Sequence, residues 1–274
     1  MTWTAVARKD FEDAIRSRWV AGLSILFVLL VSAAAYLVRP APGETISSNQ
    51  ILNSLFVRDA LVTTLVPLIA LIVAYNAVVG ERESGSLKLL LSLPHSRADV
   101  VFGKVFGRSG AIAAPIGVGF LLPAAILLAV PAVNFDVASY LGYTLLTAVL
   151  GVVFVSIAVG FSTAASSSRR AVAGAIGIYF LFVPLWGAVR FPLQLYLGMG
   201  GGPSWLPLTG QQVLRMLRLI NPTGSFKIVS NAFLQGGLYT QGSVNMQVSA
   251  TLMLLVWILV PPLLGLLWFQ EADL

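Results

Sequence analysis

The stretch GERESGSLKLLLSLPHSRADVVFGKVFGR, Gly80–Arg108, is a polar segment that interrupts a mostly apolar chain. It contains the only histidine of the chain, His95, together with eight charged residues. Apolar runs long enough to cross a bilayer lie immediately before and after it. Because a charged segment between two membrane spans must lie in water, we expect this stretch to leave the membrane and contact a soluble partner.

The composition predicts an all-α polytopic integral membrane protein. Hydrophobic residues make up 57% of the 274 residues and charged residues 10%, and the mean hydropathy is +0.88. A soluble domain carries roughly 25% charged residues, so this chain has too few to cover a water-facing surface. The absence of cysteine excludes disulfides, thiolate metal sites and cysteine nucleophiles.

Six apolar segments are predicted to span the membrane, since each reaches the ~20 residues needed to cross the hydrocarbon core. They lie at about residues 19–38, 60–79, 100–130, 140–163, 171–190 and 248–269. The third is unusually long and contains several glycines and prolines, among them Pro115 and Pro123. It fits either one tilted, kinked helix or a broken pair of helices.

Residues 1–18 are predicted to form an amphipathic helix rather than a span. Apolar residues recur at helical spacing and charged residues fill the other side, which suits a helix lying in the plane of the membrane interface. A signal peptide is the competing interpretation, because Ala33 and Ala35 match a cleavage pattern. The region before them is long and contains three acidic residues, which disfavours cleavage.

The basic residues predict the orientation. With the N-terminus in the cytoplasm, 11 of the 17 Lys and Arg residues fall in cytoplasmic segments. These residues are Arg8, Lys9, Arg16, Arg18, Arg82, Lys88, Arg97, Lys104, Arg108, Arg169 and Arg170. The positive-inside rule therefore places both termini and residues 80–99 in the cytoplasm and the protein in the cell membrane. The same rule explains the net charge of +6 without a nucleic acid partner.

Within the polar stretch, the sequence predicts a short helix followed by the start of the third span. One face of the short helix would carry Glu83, Leu87, Leu90 and Leu91. The helix must end near Pro94, since proline disfavours helix at the residue before it. Ser96 and Asp99 have the spacing of a capping box. An ordinary solvated loop also fits, but leucines outside the membrane favour a partner surface or the bilayer interface.

Residues 81–104, ERESGSLKLLLSLPHSRADVVFGK, resemble the signature of type-2 ATP-binding-cassette (ABC-2) export permeases. The matching positions are Glu83, Gly85, Leu90, Pro94, Ser96, Arg97, Gly103 and Lys104. Residues 221–234, NPTGSFKIVSNAFL, resemble the Asn-Pro segment that often precedes the last span of that family. The chain is similar in particular to archaeal permeases encoded beside genes for nitrous-oxide-reductase maturation.

The resemblance implies a division of labour between subunits. Two permease copies, identical or related, would form the pathway, and two ATP-binding subunits would hold ATP and Mg²⁺ and dock on cytoplasmic loops. The coupling interface would lie in residues 80–99, at Glu81, Glu83, Gly85, Leu87, Leu90, Pro94 and Arg97. The chain lacks the G-x-x-x-x-G-K-[ST] phosphate-binding motif. We therefore expect no catalytic residue, cofactor or metal site in this chain.

Residues 191–247 are predicted to form an external membrane-proximal region. One interpretation is an element that covers the outer mouth of a pathway. The favoured one is an interfacial helix with Arg215 and Arg218 at the level of the lipid phosphates.

Two other classes of membrane protein remain as alternatives. A secondary transporter usually carries ionisable residues within its spans, whereas here only Lys104 and Arg108 lie near the edge of one. A membrane assembly or anchor subunit is the second alternative. The sequence does not identify the cargo.

Overall fold

The computed structural model describes residues 3–38, 40, 43–58, 61–92, 95–199 and 208–271. Its first half contains α1 (Trp3–Ile15), α2 (Arg18–Tyr36), β1 (Ile46–Ser47), α3 (Ser48–Ile51), a π-helical turn (Leu52–Arg58), α4 (Leu61–Ala74), α5 (Val79–Glu83) and α6 (Ser86–Ser92). Its second half contains α7 (Arg97–Leu128), β2 (Val133–Asn134), α8 (Val137–Ala164), α9 (Ser168–Phe182), α10 (Pro184–Gly198), α11 (Gly210–Ile220), α12 (Pro222–Leu234) and α13 (Val244–Glu271). The two short strands pair in parallel.

Long apolar helices confirm the prediction of an all-α polytopic membrane protein. Among the described residues, five helical segments are long and apolar enough to span a membrane: α2, α4 with α5, α7, α8 and α13. The sixth candidate is the pair α9 and α10, which is bent by 41°. The bend occurs where Pro184 opens α10, since proline disfavours helical backbone at the preceding residue, Val183. The sequence had predicted one continuous span over residues 171–190.

The sequence left open whether residues 100–130 form one helix or two, and residues 100–128 lie in helix α7. It is a single helix of 32 residues that continues through Pro115 and Pro123. At 1.5 Å per residue it is about 48 Å long, well beyond the ~30 Å of the hydrocarbon core. One end of α7 must therefore extend out of the membrane, and the charged residues of α7 all lie within its first twelve residues.

The N-terminal amphipathic helix is present as α1, but its buried face contacts α7 instead of lipid. Val6 and Asp10 are buried in this contact. A Cβ atom added to Gly107 would lie 2.6 Å from the backbone oxygen of Ala7, and one added to Gly103 would lie 2.7 Å from Cβ of Val6. Glycines spaced four residues apart on α7 thus allow α1 to lie directly against it.

The core of the bundle lies between α4, α7, α8 and α13. A group of aromatic rings surrounds Phe120 in this core. The centroid of the Phe120 ring lies 5.8 Å from that of Phe56 and 6.0 Å from that of Tyr143. Helix α12 also belongs to this core, because it packs against α8 and α13 and Phe226 is fully buried. The described part of residues 191–247 is thus largely helical, and α12 lies inside the bundle.

The bundle has two chemically different ends. The charged end comprises α1, α5, α6, the first three turns of α7, the α8–α9 junction and the last turn of α13. The opposite end comprises β1, β2 and the turn before α13. The candidate functional site lies at the charged end.

Candidate functional site

A left-handed glycine separates the two short helices of the polar stretch. Gly85 has φ of +76°, a conformation that side-chain-bearing residues rarely adopt. It ends α5 after Glu83 and lets α6 start in a new direction at Ser86. The prediction that Glu83 and Leu87 share one helical face is therefore wrong, since they belong to different helices.

A cluster of ionised groups, which we call the buried ion cluster, joins α5 to α1 and α7. Nζ of Lys104 on α7 lies 3.2 Å from Oδ1 of Asp10 on α1 and 3.0 Å from Oε1 of Glu81 on α5. Nε of Arg108 lies 2.8 Å from Oδ2 of Asp10. Lys9 reaches Glu81 from the surface at 3.2 Å. The side chains of Lys104 and Asp10 are 1% and 5% exposed, so this network is shielded from water.

The network pairs opposite charges throughout. The carboxylates of Asp10 and Glu81 face the buried Lys104 and the partly buried Arg108, and the half-exposed Lys9 at the rim also lies 3.8 Å from Asp13. Partial burial acts to lower the pKa of Lys9, but the charge of Glu81 and its hydrogen bond outweigh burial and raise that pKa. Arg108 also donates to the backbone oxygen of Val73 at the end of α4, 2.8 Å away. Since removing one member of a buried pair leaves an uncompensated charge, the network holds these helices in one arrangement.

Two arginines join α5 and α7 to the ends of α8 and α13. Arg82 on α5 donates to the backbone oxygens of Thr163 and Ala165, at 2.9 and 3.0 Å. These carbonyls lie at the end of α8, where a helix leaves acceptors unsatisfied. Arg97 on α7 donates to the backbone oxygen of Phe269 on α13. The guanidinium carbons of Arg82 and Arg97 lie 5.6 and 5.2 Å from the centre of the Phe269 ring, within cation–π distance.

Glu83 joins α5 to the start of α9. Its Oε1 accepts a hydrogen bond from the backbone nitrogen of Ser168 at 2.8 Å, and its Oε2 accepts one from the Ser168 hydroxyl. A carboxylate is favoured at a helix N-terminus, where free N–H groups carry partial positive charge. The family resemblance had placed this carboxylate in the coupling interface with a partner subunit. Its side chain is exposed, but both of its oxygens accept hydrogen bonds within the chain.

The outward side of α6 differs from the surface that the leucine pattern predicted. Leu87 is 1% exposed and packs into the core, and Leu90 is half-buried against it. Leu89 is instead 72% exposed, beside the exposed Lys88 and Ser92. The exposed residues of α6 are therefore Lys88, Leu89 and Ser92, which the sequence did not indicate because Glu83 and Leu91 were predicted to lie on one helix. Pro94 lies outside the described residues.

The capping box at the start of α7 is confirmed. The hydroxyl of Ser96 accepts from the backbone nitrogen of Asp99 at 3.1 Å, and the Asp99 carboxylate accepts from the backbone nitrogen of Ser96 at 3.0 Å. This cap fixes where α7 begins relative to α6. Within the described residues, no group of three or more His, Cys, Asp or Glu side chains is placed to hold a metal ion.

Comparison with known proteins gives an independent line of evidence. Residues 4–274 match the model of a family described as ABC-2 family transporter protein. A protein from Pseudomonas aeruginosa named probable ABC transporter permease protein NosY is 34% identical over 237 residues, which cover 84% of this chain and 81% of that protein. A protein of the same name from Stutzerimonas stutzeri is 31% identical over 276 residues, which cover 97% of each chain.

Proposed function

The chain belongs to the ABC-2 family of transporter proteins, and on that premise we propose that an ATP-binding subunit docks on α6 and moves the membrane-spanning helices through α5. Membership makes the chain the membrane-spanning permease subunit of an ABC transporter, and it implies an ATP-binding partner subunit. The candidate spans agree with a multi-pass membrane protein.

The observation that carries the proposal is that three consecutive residues of α5 each hold a different helix. Glu81 pairs with Lys104 on α7, Arg82 donates to the end of α8, and Glu83 accepts from the start of α9. A five-residue helix with such contacts cannot shift without moving the ends of three spans. This is the arrangement needed to convert a push on a surface helix into a rearrangement of the bundle.

The outward side of α6 supports docking by a soluble protein. Leu89 is an exposed apolar side chain at the end of the bundle where charged residues collect, next to Lys88. A single exposed leucine is common on protein surfaces, so the docking proposal depends on the position of α6, which follows directly after α5 and its contacts with three helices. A partner surface with an apolar pocket and an acidic rim would complement it.

The finer features of the transporter are part of the same proposal. ATP hydrolysis would occur on the partner subunit, because this chain has no phosphate-binding motif. Two permease copies and two ATP-binding subunits would assemble, and the cargo would be exported. The charged end and both termini would face the cytoplasm, which the distribution of Lys and Arg supports.

Replacing the exposed leucine tests the docking surface. Leu89→Asp should leave membrane insertion intact, since the side chain makes little contact within the chain. It should lower both the amount of ATP-binding subunit that co-purifies and the ATP hydrolysis of the complex, by roughly fivefold or more for a central interface residue. Lys88→Glu should act in the same direction.

Arg16→Glu is the matched control, because Arg16 is an exposed basic residue at the same end that lies outside α5 and α6. It should leave co-purification unchanged. A Leu89→Asp protein that inserts, binds its ATP-binding subunit and supports hydrolysis at the normal rate would contradict the proposal.

A further inference from the structure

Three basic residues lie on three consecutive helices, each of which packs against the next, and we call this group the cationic cluster. They are Arg190 on α10, Arg218 on α11 and Lys227 on α12. The sequence contains no acidic residue between Asp136 and Glu271. Among the described residues, no carboxylate forms an ion pair with any of the three. The cluster therefore has positive charge without a counterion from the described part of the chain.

The three charges act on one another. Burial, and then the charge of Arg190, lower the pKa of Arg218. Burial, and then the charge of Arg218, lower the pKa of Lys227. Arg190 and Lys227 are half-buried, whereas Arg218 is partly exposed to solvent. Like charges held together in a partly desolvated place destabilise each other, so an anion bound among them would relieve the repulsion.

Two further observations indicate a ligand. The Nε atom of Arg190 is buried and has no hydrogen-bond partner, which leaves a donor to be satisfied. Arg218 also lines a cavity of about 280 Å³ whose other polar groups include the amides of Asn231 and Gln235 and the hydroxyl of Ser243. Guanidinium and amide groups are donors that suit an oxyanion, and no carboxylate lines this cavity to repel one.

We propose that Arg190, Arg218 and Lys227 form a binding site for a phosphate group, with Arg218 contacting the part of the ligand that enters the cavity. Guanidinium groups bind phosphate through two parallel N–H···O bonds, which a single ammonium group cannot make. The phosphate belongs either to the headgroup of an anionic phospholipid or to a free phosphate-bearing solute. The proposal is independent of docking on α6, because it concerns different helices.

Thermal unfolding of the purified complex in detergent tests the site. Separate titrations would add short-chain phosphatidylglycerol, short-chain phosphatidylcholine, and inorganic phosphate against chloride at equal ionic strength. We expect phosphatidylglycerol or inorganic phosphate to raise Tm in a saturable way and phosphatidylcholine to have little effect. Stabilisation by phosphatidylglycerol alone would identify a lipid headgroup site, and stabilisation by inorganic phosphate as well would identify a site for free anions.

Arg218→Gln should weaken the apparent affinity roughly fivefold, the expected loss for one basic residue near anionic lipid. Without added anion the variant should be at least as stable as the parent, because a like charge has been removed. Lys227→Gln gives a second measurement should Arg218→Gln not fold. Arg215→Gln, on the same helix and exposed, is the matched control and should change the affinity less than twofold. No saturable effect of either anion, or equal losses for Arg215→Gln and Arg218→Gln, would overturn the proposal.

Discussion

The Nζ atom of Lys104 lies 3.0 Å from Oε1 of Glu81, and only 1% of the lysine side chain is exposed. This contact connects α7, the longest helix of the bundle, to the short helix α5. The same ammonium group contacts Asp10 on α1. One buried cation therefore holds three helices together where we propose that motion enters the protein.

Lys104→Met should destabilise the protein strongly. The substitution keeps most of the side-chain volume but leaves Asp10 and Glu81 with less compensating charge in a shielded site. Breaking a buried pair in this way costs about 3–5 kcal/mol. The loss is expected as a lower midpoint of thermal or denaturant unfolding in detergent.

Lys9→Met is the control for that measurement. Lys9 contacts the same oxygen of Glu81 at 3.2 Å, but its side chain is 54% exposed. A screened surface pair contributes about 0–1 kcal/mol, so this variant should unfold close to the parent. Equal losses of stability in the two lysine variants would show that the burial of Lys104 does not determine how strongly the buried ion cluster stabilises the protein.

Gly107→Ala should separate α1 from α7. The added methyl group would lie 2.6 Å from the backbone oxygen of Ala7, an atom that cannot rotate away. Forcing a methyl group into such a contact typically costs about 1–3 kcal/mol. Gly117→Ala, on the same helix with nothing within 4 Å of the new methyl group, should be neutral or slightly stabilising. Unfolding midpoints that fall equally in both variants would argue against close packing of α1.

Glu83→Ala should lower ATP hydrolysis by the complex while changing the stability of the fold only a little. The carboxylate is exposed, so its removal leaves Ser168 free to bond water. The link between α5 and α9 would be lost, and ATP hydrolysis by the complex should fall severalfold at normal yield of the assembled subunits. Glu12→Ala also removes one carboxylate, which pairs with Arg8 on the same helix α1, and this control variant should hydrolyse ATP normally. Normal hydrolysis and transport by Glu83→Ala would show that this link is dispensable.

Ser92 and Ser243 should lie on opposite sides of the membrane. Both are exposed, and they belong to the charged end and the opposite end of the bundle. Because the natural chain has no cysteine, single cysteines can be introduced without further changes. An impermeant maleimide added to intact cells should label Ser243→Cys and leave Ser92→Cys unmodified. The reverse pattern would invert the orientation.

Local signals in the sequence predicted the features that depend on neighbouring residues. The length and apolarity of the spans indicated the membrane fold, and the spacing of Ser96 and Asp99 predicted the cap that begins α7. Pro184 carried a signal that was missed, since it opens α10 and bends the fifth predicted span. Gly85 was recognised as part of the family signature, but its left-handed conformation was not predicted. That conformation breaks the predicted helix in two.

Contacts between distant segments could not be predicted in the same way. Lys104 and Arg108 are four residues apart, so periodicity places them on one face of α7. Periodicity does not say that Asp10, 94 residues earlier than Lys104, lies against that face. Likewise, the exposed position of Leu89 depends on the direction in which α6 leaves Gly85. These relationships follow from tertiary packing, which a single sequence does not reveal.

Cross-linking from α6 is the most direct test of whether the ATP-binding subunit docks on this helix. A single cysteine at position 89, labelled with a photoactivatable benzophenone maleimide, would be irradiated in membranes that contain the permease and its ATP-binding subunit. We expect a covalent adduct of the two subunits from Leu89→Cys and none from Arg16→Cys, which lies at the same end but outside α5 and α6. An adduct from Arg16→Cys with none from Leu89→Cys would contradict the claim that α6 is the docking surface.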